Sequence, residues 1–355
     1  MPRLAANARA EDRGDKDISA SVEALRAAGL LQAVLPGSLG GAGLGAGGAG
    51  AEASVRGLMR IAQANLSLAR LFEGHVNAVQ LVDRFAPETL RHEMAAAVRD
   101  GALLGVWGAD GNTPLTLAGD RLAGGKRFAS GLGVVSLAAV TVNSGPEVRL
   151  ALAESDAPER QDPAVWSMLG MRASASGNYD FNGLPAERFR LFGAPGDYLT
   201  EPGFVSGVWR IAALQLGGTF GLIAAARDRL AAIDRLEAEA QITRLAAVLQ
   251  RAYGAIGLVE RAARIAEGQE GRADAERAVA LSILARLETE EIGQTAIATV
   301  ERAIGLAHFD SDSETGRIAR DLATYMRQVA RDAFQQRAGR IALAPGRDLL
   351  ELWHG

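Results

Sequence analysis

The chain has 355 residues, 48% of them hydrophobic, with 38 basic against 42 acidic residues for a net charge of −4. That is ample apolar sequence for two or three domains, and the mixed charge, with no basic stripe, offers nucleic acid no electrostatic footprint. With no cysteine, disulfides, thiolate metal sites and cysteine nucleophiles are excluded.

The first residues, MPRLAANARAEDRGDKD, are charged and lack the apolar core of a signal segment. No apolar run approaches the roughly 18–20 residues that span a bilayer. A cytoplasmic protein with no membrane or nucleic-acid partner is the expectation. Residues 18–31 read as an amphipathic helix carrying Ile18, Val22 and Leu25, with Ser19 or Ser21 as cap. A glycine-rich run follows. It matches G-x-G-x-x-G from Gly43 and from Gly45, but no strand precedes it, so it reads as a loop and not a dinucleotide site. Residues 51–70 and 71–85 read as helices. A third helix starts after Pro87 and stops at Gly101.

The character changes at Ala102. Short alternating or β-branched runs, separated by Gly, Asn and Pro, continue to about Tyr198 and indicate an antiparallel barrel or sandwich. Within them GDRLAGGKRFASGLG reads as a hairpin turning at Gly124-Gly125. Strand alternation places Phe128 and Ser130 on one face, which would suit a flat aromatic ligand with polar ring atoms; an ordinary surface hairpin is the plain alternative. From Phe204 onward the chain reads as four helices, 204–233, 240–267, 273–304 and 317–343, joined by short links into an antiparallel bundle. Its many arginines read as solvated helix faces. The fold class is therefore α+β, mostly α, with a helical domain over 1–101, a β-barrel domain over 102–203 and a helical bundle over 204–355.

Four segments carry a resemblance to the acyl-CoA dehydrogenase family. VLPGSLGGAGL resembles its first helix–loop. GDRLAGGKRFASG resembles its G-x-x-L-x-G-x-K-x-[WF]-x-[ST]-G hairpin, and WSMLGMRASAS its W-x-x-L-G-M-R-x-S-x-S stretch. GLPAERFRLFGAPGDYL resembles the exit into its bundle. The match covers roughly residues 18–340. It implies an FAD flavoprotein whose flavin ring lies between the β domain and the bundle, with Phe128 as the aromatic and Ser130 as the hydroxyl facing it. GVWGADGNTP stands where the family has a T-E-P flavin loop, which leaves Trp107, Gly108 and Ala109 as contacts. DRLEAEAQITRLAAVLQ replaces the helix with R-x-x-F-G, with Arg235 or Arg244 as substitutes. ERAIGLAHF keeps Gly305 of the flavin turn. Tyr325 and Arg327 fall in the last loop, where they face the flavin or sit on a solvated helix face. Of the four histidines, His308 is nearest the flavin turn; none has metal-site spacing, so no metal is expected.

The resemblance also implies an oxidoreductase acting on CH–CH donors, in which a buried Glu removes a proton next to a thioester carbonyl. Neither family position for that base holds a carboxylate: one is Trp209, the other lies near Val329. Asp332 is the nearest substitute. Three functions stay open on this reading. The first is an oxidoreductase of a small substrate such as a CoA thioester. The second is a flavin-dependent monooxygenase, which needs no α-proton base. The third is a non-catalytic flavin-binding scaffold. A homo-dimer or homo-tetramer is expected, because the small-residue faces over 212–221 and 240–263 exceed what one bundle core can hide.

Overall fold

The structure, a computed structural model, describes residues 2–354. Six helices come first: α1 (Pro2–Arg13), α2 (Ser19–Ala27), α3 (Leu30–Ala33), α4 (Gly47–Ala64), α5 (Leu66–Phe85) and α6 (Glu88–Arg99). The charged N-terminus is itself a helix, burying Leu4 and Ala8 and turning Glu11 inward onto Ser21 and Asn65. The helix expected over 18–31 breaks at Gly29, whose φ of 70° ends α2. The boundary expected at residue 70 falls at Asn65. Its extended backbone stops α4, and its side chain accepts the Leu68 N–H to cap α5.

Ten strands follow: β1 (Leu103–Trp107), β2 (Thr116–Ala118), β3 (Arg121–Ala123), β4 (Gly125–Ala129), β5 (Val135–Ser144), β6 (Glu147–Glu154), β7 (Gln161–Asp162), β8 (Gly177–Asp180), β9 (Leu184–Pro185) and β10 (Phe189–Phe192). One sheet runs β10-β6-β5-β2-β3-β9 with β1 beside β5; a smaller one runs β4-β8-β7. Most pairings are antiparallel, but β1 and β2 lie parallel to β5, so the curled sheet is mixed. The hairpin turn is also displaced. β2 and β3 turn at Gly119-Asp120, while Gly124-Gly125 is where the chain leaves one sheet for the other. Gly124 has a φ of 104°, and a Cβ there would lie 2.4 Å from Pro114 O, so only glycine permits that crossing.

The rest is helical: α7 (Trp209–Ala231), α8 (Glu239–Glu267), α9 (Gln269–Ala273), α10 (Ala275–Ile304), α11 (Glu314–Tyr325), α12 (Arg331–Ala342) and α13 (Glu351–His354). The last expected helix is thus two, broken over residues 326–330. Ser206–Ala231 is long and apolar enough to cross a membrane by length and composition alone, contrary to expectation, but 72% of its apolar window is buried in the bundle. The small residues expected to face another subunit are partly used within the chain. Cβ positions at Gly217 and Gly221 lie 2.5 and 2.6 Å from the Met59 and Gln63 carbonyl oxygens of α4.

His75 joins the first helices to the sheet. Its Nε2 donates to Leu31 O at 3.0 Å and its Nδ1 accepts the Leu104 N–H at 3.1 Å, which fixes the neutral tautomer. Burial pushes its pKa down from 6.5 to about 4. The unfolded chain therefore binds a proton that the fold refuses, and stability is lost as pH falls from 6.5 toward 4. The loss is about 3 kcal/mol for a shift of this size. Asp321, raised to about 6 by burial, works in the opposite sense over an overlapping range. The expected result is therefore a difference: His75→Gln should flatten the acid limb of a melting-temperature profile relative to wild type. Parallel profiles would show that His75 does not carry it.

Candidate functional site

The site is built on β4 and the loop that packs on it. The β4–β8 register shifts between Lys126 and Ala129, and within that bulge Phe128 adopts a φ of 55°. An aromatic residue in this region is strained, and a bulge re-aims its side chain. Phe128 is turned outward and left 51% exposed. Trp166 meets it edge-on, with ring centroids 6.4 Å apart, and the Arg127 guanidinium lies 5.1 Å from the Phe128 centroid. Two aromatic rings thus form an open apolar wall.

Ser130 lies just beyond the strand, so the simple alternation expected for Phe128 and Ser130 does not hold; the bulge intervenes. Its hydroxyl accepts from Ser176 Oγ at 3.0 Å. Ser176 meets Ser174 at 2.8 Å, and Ser174 donates to Met171 O at 2.7 Å. The Ser130 and Ser176 hydroxyls can exchange donor and acceptor roles by rotation, so Ser130 can turn its proton toward a ligand beside the aromatic wall.

Residues 169–176 anchor the wall to the bundle. A Cβ at Gly170 would sit 2.1 Å from Arg320 O, so α11 packs directly on the loop backbone. The Met171 N–H donates to Asp321 Oδ1 at 2.6 Å, and Arg317 holds the other carboxylate oxygen at 3.1 Å. Between this loop and the α10–α11 turn lies a recess of about 590 Å³, lined by Trp166, Met168, Leu169, Ser311 and Arg320 among others.

The remaining expected contacts divide. Trp107 is buried against Tyr179 and Phe181 and donates to Ser130 O at 3.1 Å, so it supports Ser130 from behind. Gly108 is exposed and Ala109 half-buried at the end of β1. Their carbonyls are spent internally, on Thr141 Oγ1 and on the Arg127 N–H. Gly305, with a φ of 69°, and Arg327 are both exposed. Tyr325 is buried, and its hydroxyl has no partner. His308 is buried on Thr315 Oγ1 at 3.1 Å.

Asp332, the expected substitute base, stands in solvent. Its side chain is 89% exposed at the start of α12, 3.7 Å from Arg331. Trp209 is fully buried and donates to Glu267 Oε1.

Several functional groups escaped the sequence. Lys126 is fully buried, with Nζ 2.5 Å from Asp110 Oδ1 and 2.7 Å from Thr141 Oγ1. Asp110 also accepts from Asn143 Nδ2 and the Leu115 N–H, which pins the loop after β1. Burial pushes the Lys126 pKa down. Burial would raise that of Asp110, but the hydrogen bonds from Lys126 and Asn143 outweigh it and hold the carboxyl low. The arginines expected on solvated faces include Arg277, Arg286 and Arg317, all buried.

No protein-family model matches the chain, and no curated protein sequence does. Solved structures do. A dibenzothiophene monooxygenase from Paenibacillus sp. A11-2 superposes with a TM-score of 0.82 at 20% identity, over 98% of this chain and 96% of that one. A nitrososynthase from Micromonospora carbonacea var. africana gives 0.80 at 19%, over 97% and 94%. KijD3, solved in complex with FMN and dTDP-3-amino-2,3,6-trideoxy-4-keto-3-methyl-D-glucose, gives 0.78 at 20%, over 99% and 93%. The protein has the acyl-CoA dehydrogenase-type fold of these enzymes.

Proposed function

We propose that the protein is a flavin-dependent monooxygenase of a small organic molecule, using flavin as FMN. The observation that carries this reading is that the buried glutamates of α5, α8 and α10 are each held by arginine, and that Asp321, raised by burial, is held by Arg317 and the Met171 N–H. Glu73 is 2.6 Å from Arg70, Glu267 is 2.7 Å from Arg210 and 3.1 Å from Arg84, and Glu290 is 3.2 Å from Arg331. Arginine donors hold at least one oxygen of each, which is not the unencumbered base that proton abstraction next to a thioester requires. Monooxygenation needs no such base.

The residues fit a flavin. Phe128 and Trp166 offer an apolar face to a planar ring, and the Ser130 hydroxyl offers a donor to a ring nitrogen or carbonyl. When bound, reduced flavin passes two electrons to dioxygen, so that one oxygen atom enters the substrate and the other leaves as water. FMN is favoured over FAD because no Phe-Gly follows Arg235 or Arg244, the arginines considered for the pyrophosphate of a neighbouring subunit. The FMN in the KijD3 structure supports the same choice.

Fluorescence titration with FMN, oxidised and dithionite-reduced, tests this. Ser130→Ala should weaken binding by up to roughly tenfold, the value of one hydrogen bond. Ser136→Ala should leave it unchanged. No binding in either redox state, or equal affinity for both variants, would overturn the assignment of the cleft.

A further inference from the structure

Met171 joins the aromatic wall to the bundle, and it does so with its backbone. Its φ of 56° lies in the left-handed region, which a methionine enters only at an energetic cost. Ala175, at the other end of the same turn, has a φ of 45°. Such residues persist only where their surroundings hold them. The Met171 N–H donates to Asp321 Oδ1 at 2.6 Å. The Met171 carbonyl accepts from the Trp166 indole N–H at 3.2 Å and from Ser174 Oγ at 2.7 Å. From Ser174 the contacts run through Ser176 to the Ser130 hydroxyl, and the Ser174 and Ala175 carbonyls take the Gly131 and Leu132 N–H groups. One ring of the wall and the hydroxyl beside it are therefore both set by the backbone of one residue.

Asp321 lies 150 residues further along the chain and is itself fixed in the bundle. It is buried, and Arg317 Nη1 holds its second oxygen at 3.1 Å. Arg317 also donates to both oxygens of Glu314, at 3.2 and 2.5 Å. The recess beside Trp166 is not lined by Asp321, so its route to the site is the Met171 backbone.

We propose that Asp321 is a positioning residue of the flavin site, keeping the left-handed turn at Met171 in place and through it Trp166 and Ser130. The proposal rests on the flavin monooxygenase reading and deepens it by naming the group outside the cleft on which the cleft's shape depends. A carboxylate accepting from a backbone N–H makes a charge-assisted hydrogen bond, the stronger kind. Without it a buried N–H in a strained turn has no acceptor. The turn then relaxes and carries the Met171 carbonyl away from Trp166 and Ser174.

Paired variants separate positioning from plain stability. Asp321→Ala removes the acceptor. Asp321→Asn keeps an amide oxygen for the Met171 N–H, because Glu314 still holds Arg317. Both should lower the melting temperature, since both break the ion pair with Arg317. Only Asp321→Ala should weaken FMN binding, by about tenfold. Added to Ser130→Ala, it should cost less than the product of the two single effects, because both act through one chain of contacts. A second arm needs no flavin. In protein labelled with fluorotryptophan, the four tryptophans give separate fluorine resonances. The Trp166 signal, assigned by its loss in Trp166→Phe, should shift in Asp321→Ala and stay in place in Asp321→Asn. Should Asp321→Ala not fold, its combination with Arg317→Met, which removes the stranded charge as well, takes its place. If the two Asp321 variants behave alike in FMN affinity or in the Trp166 signal, Asp321 contributes stability only and the proposal is overturned. Failure of the wild type to bind FMN, with the Trp166 signal still answering to Asp321, would sink the flavin reading instead.

Discussion

Asp110→Ala should destabilise the protein by about 3 kcal/mol, the low end of the range for stripping a buried ion of its partner. The substitution leaves the Lys126 ammonium in the interior with only Thr141 Oγ1 at 2.7 Å and Gly108 O at 3.4 Å. The low end applies because Asp110 keeps 31% of its side chain exposed, so water enters to share the cost. The lysine can also shed its proton, and burial already pushes it that way. Removing both charges together, as in Asp110→Leu with Lys126→Met, should recover most of the loss, because apolar replacement of a buried pair is often close to neutral. Urea denaturation of the single and double variants reads this directly. A single-variant loss below about 1 kcal/mol, or a double variant no better than the single, would show that the pair does not hold the β1 exit in place.

Much of the architecture was legible in local chemistry. The change from helical periodicity to short alternating runs at Ala102 stands beside the start of β1 at Leu103, while the helices resume at Trp209, five residues past Phe204; burial on a sheet face and on a helix face imposes different periods. What escaped was set by tertiary context. Gly124-Gly125 has turn chemistry, yet Gly119-Asp120 takes the turn, because β3 finds its partner in β9 and β4 in β8. Asn65 was visible as a cap, but the apolar residues on both sides of it hid the break between α4 and α5.

The site was half legible. Phe128 and Ser130 were found from their motif, but not the bulge that turns the ring outward, since a register shift depends on the partner strand. Arginines on helices were taken for solvated faces. Arg286 sits three residues after Ile283 and seven after Val279, on the stripe that the apolar residues mark as buried. That spacing is a signal of burial that composition alone does not give. Lys126, one of only two lysines in an arginine-rich chain, carried a weaker signal. Its partner Asp110 lies in a segment that departs from the family pattern.

The reaction class is decided by one stopped-flow experiment. Protein loaded with oxidised flavin and mixed anaerobically with a panel of acyl-CoA thioesters should keep its flavin absorbance. A catalyst without its general base is slower by about 10²–10⁴-fold. Trp209 and the residues around Val329 supply none, and Asp332 lies out in solvent. The same protein given reduced FMN, air and a small organic substrate that binds it should transfer one oxygen atom into that substrate. Rapid stoichiometric bleaching by any thioester would contradict the account and make the protein a dehydrogenase.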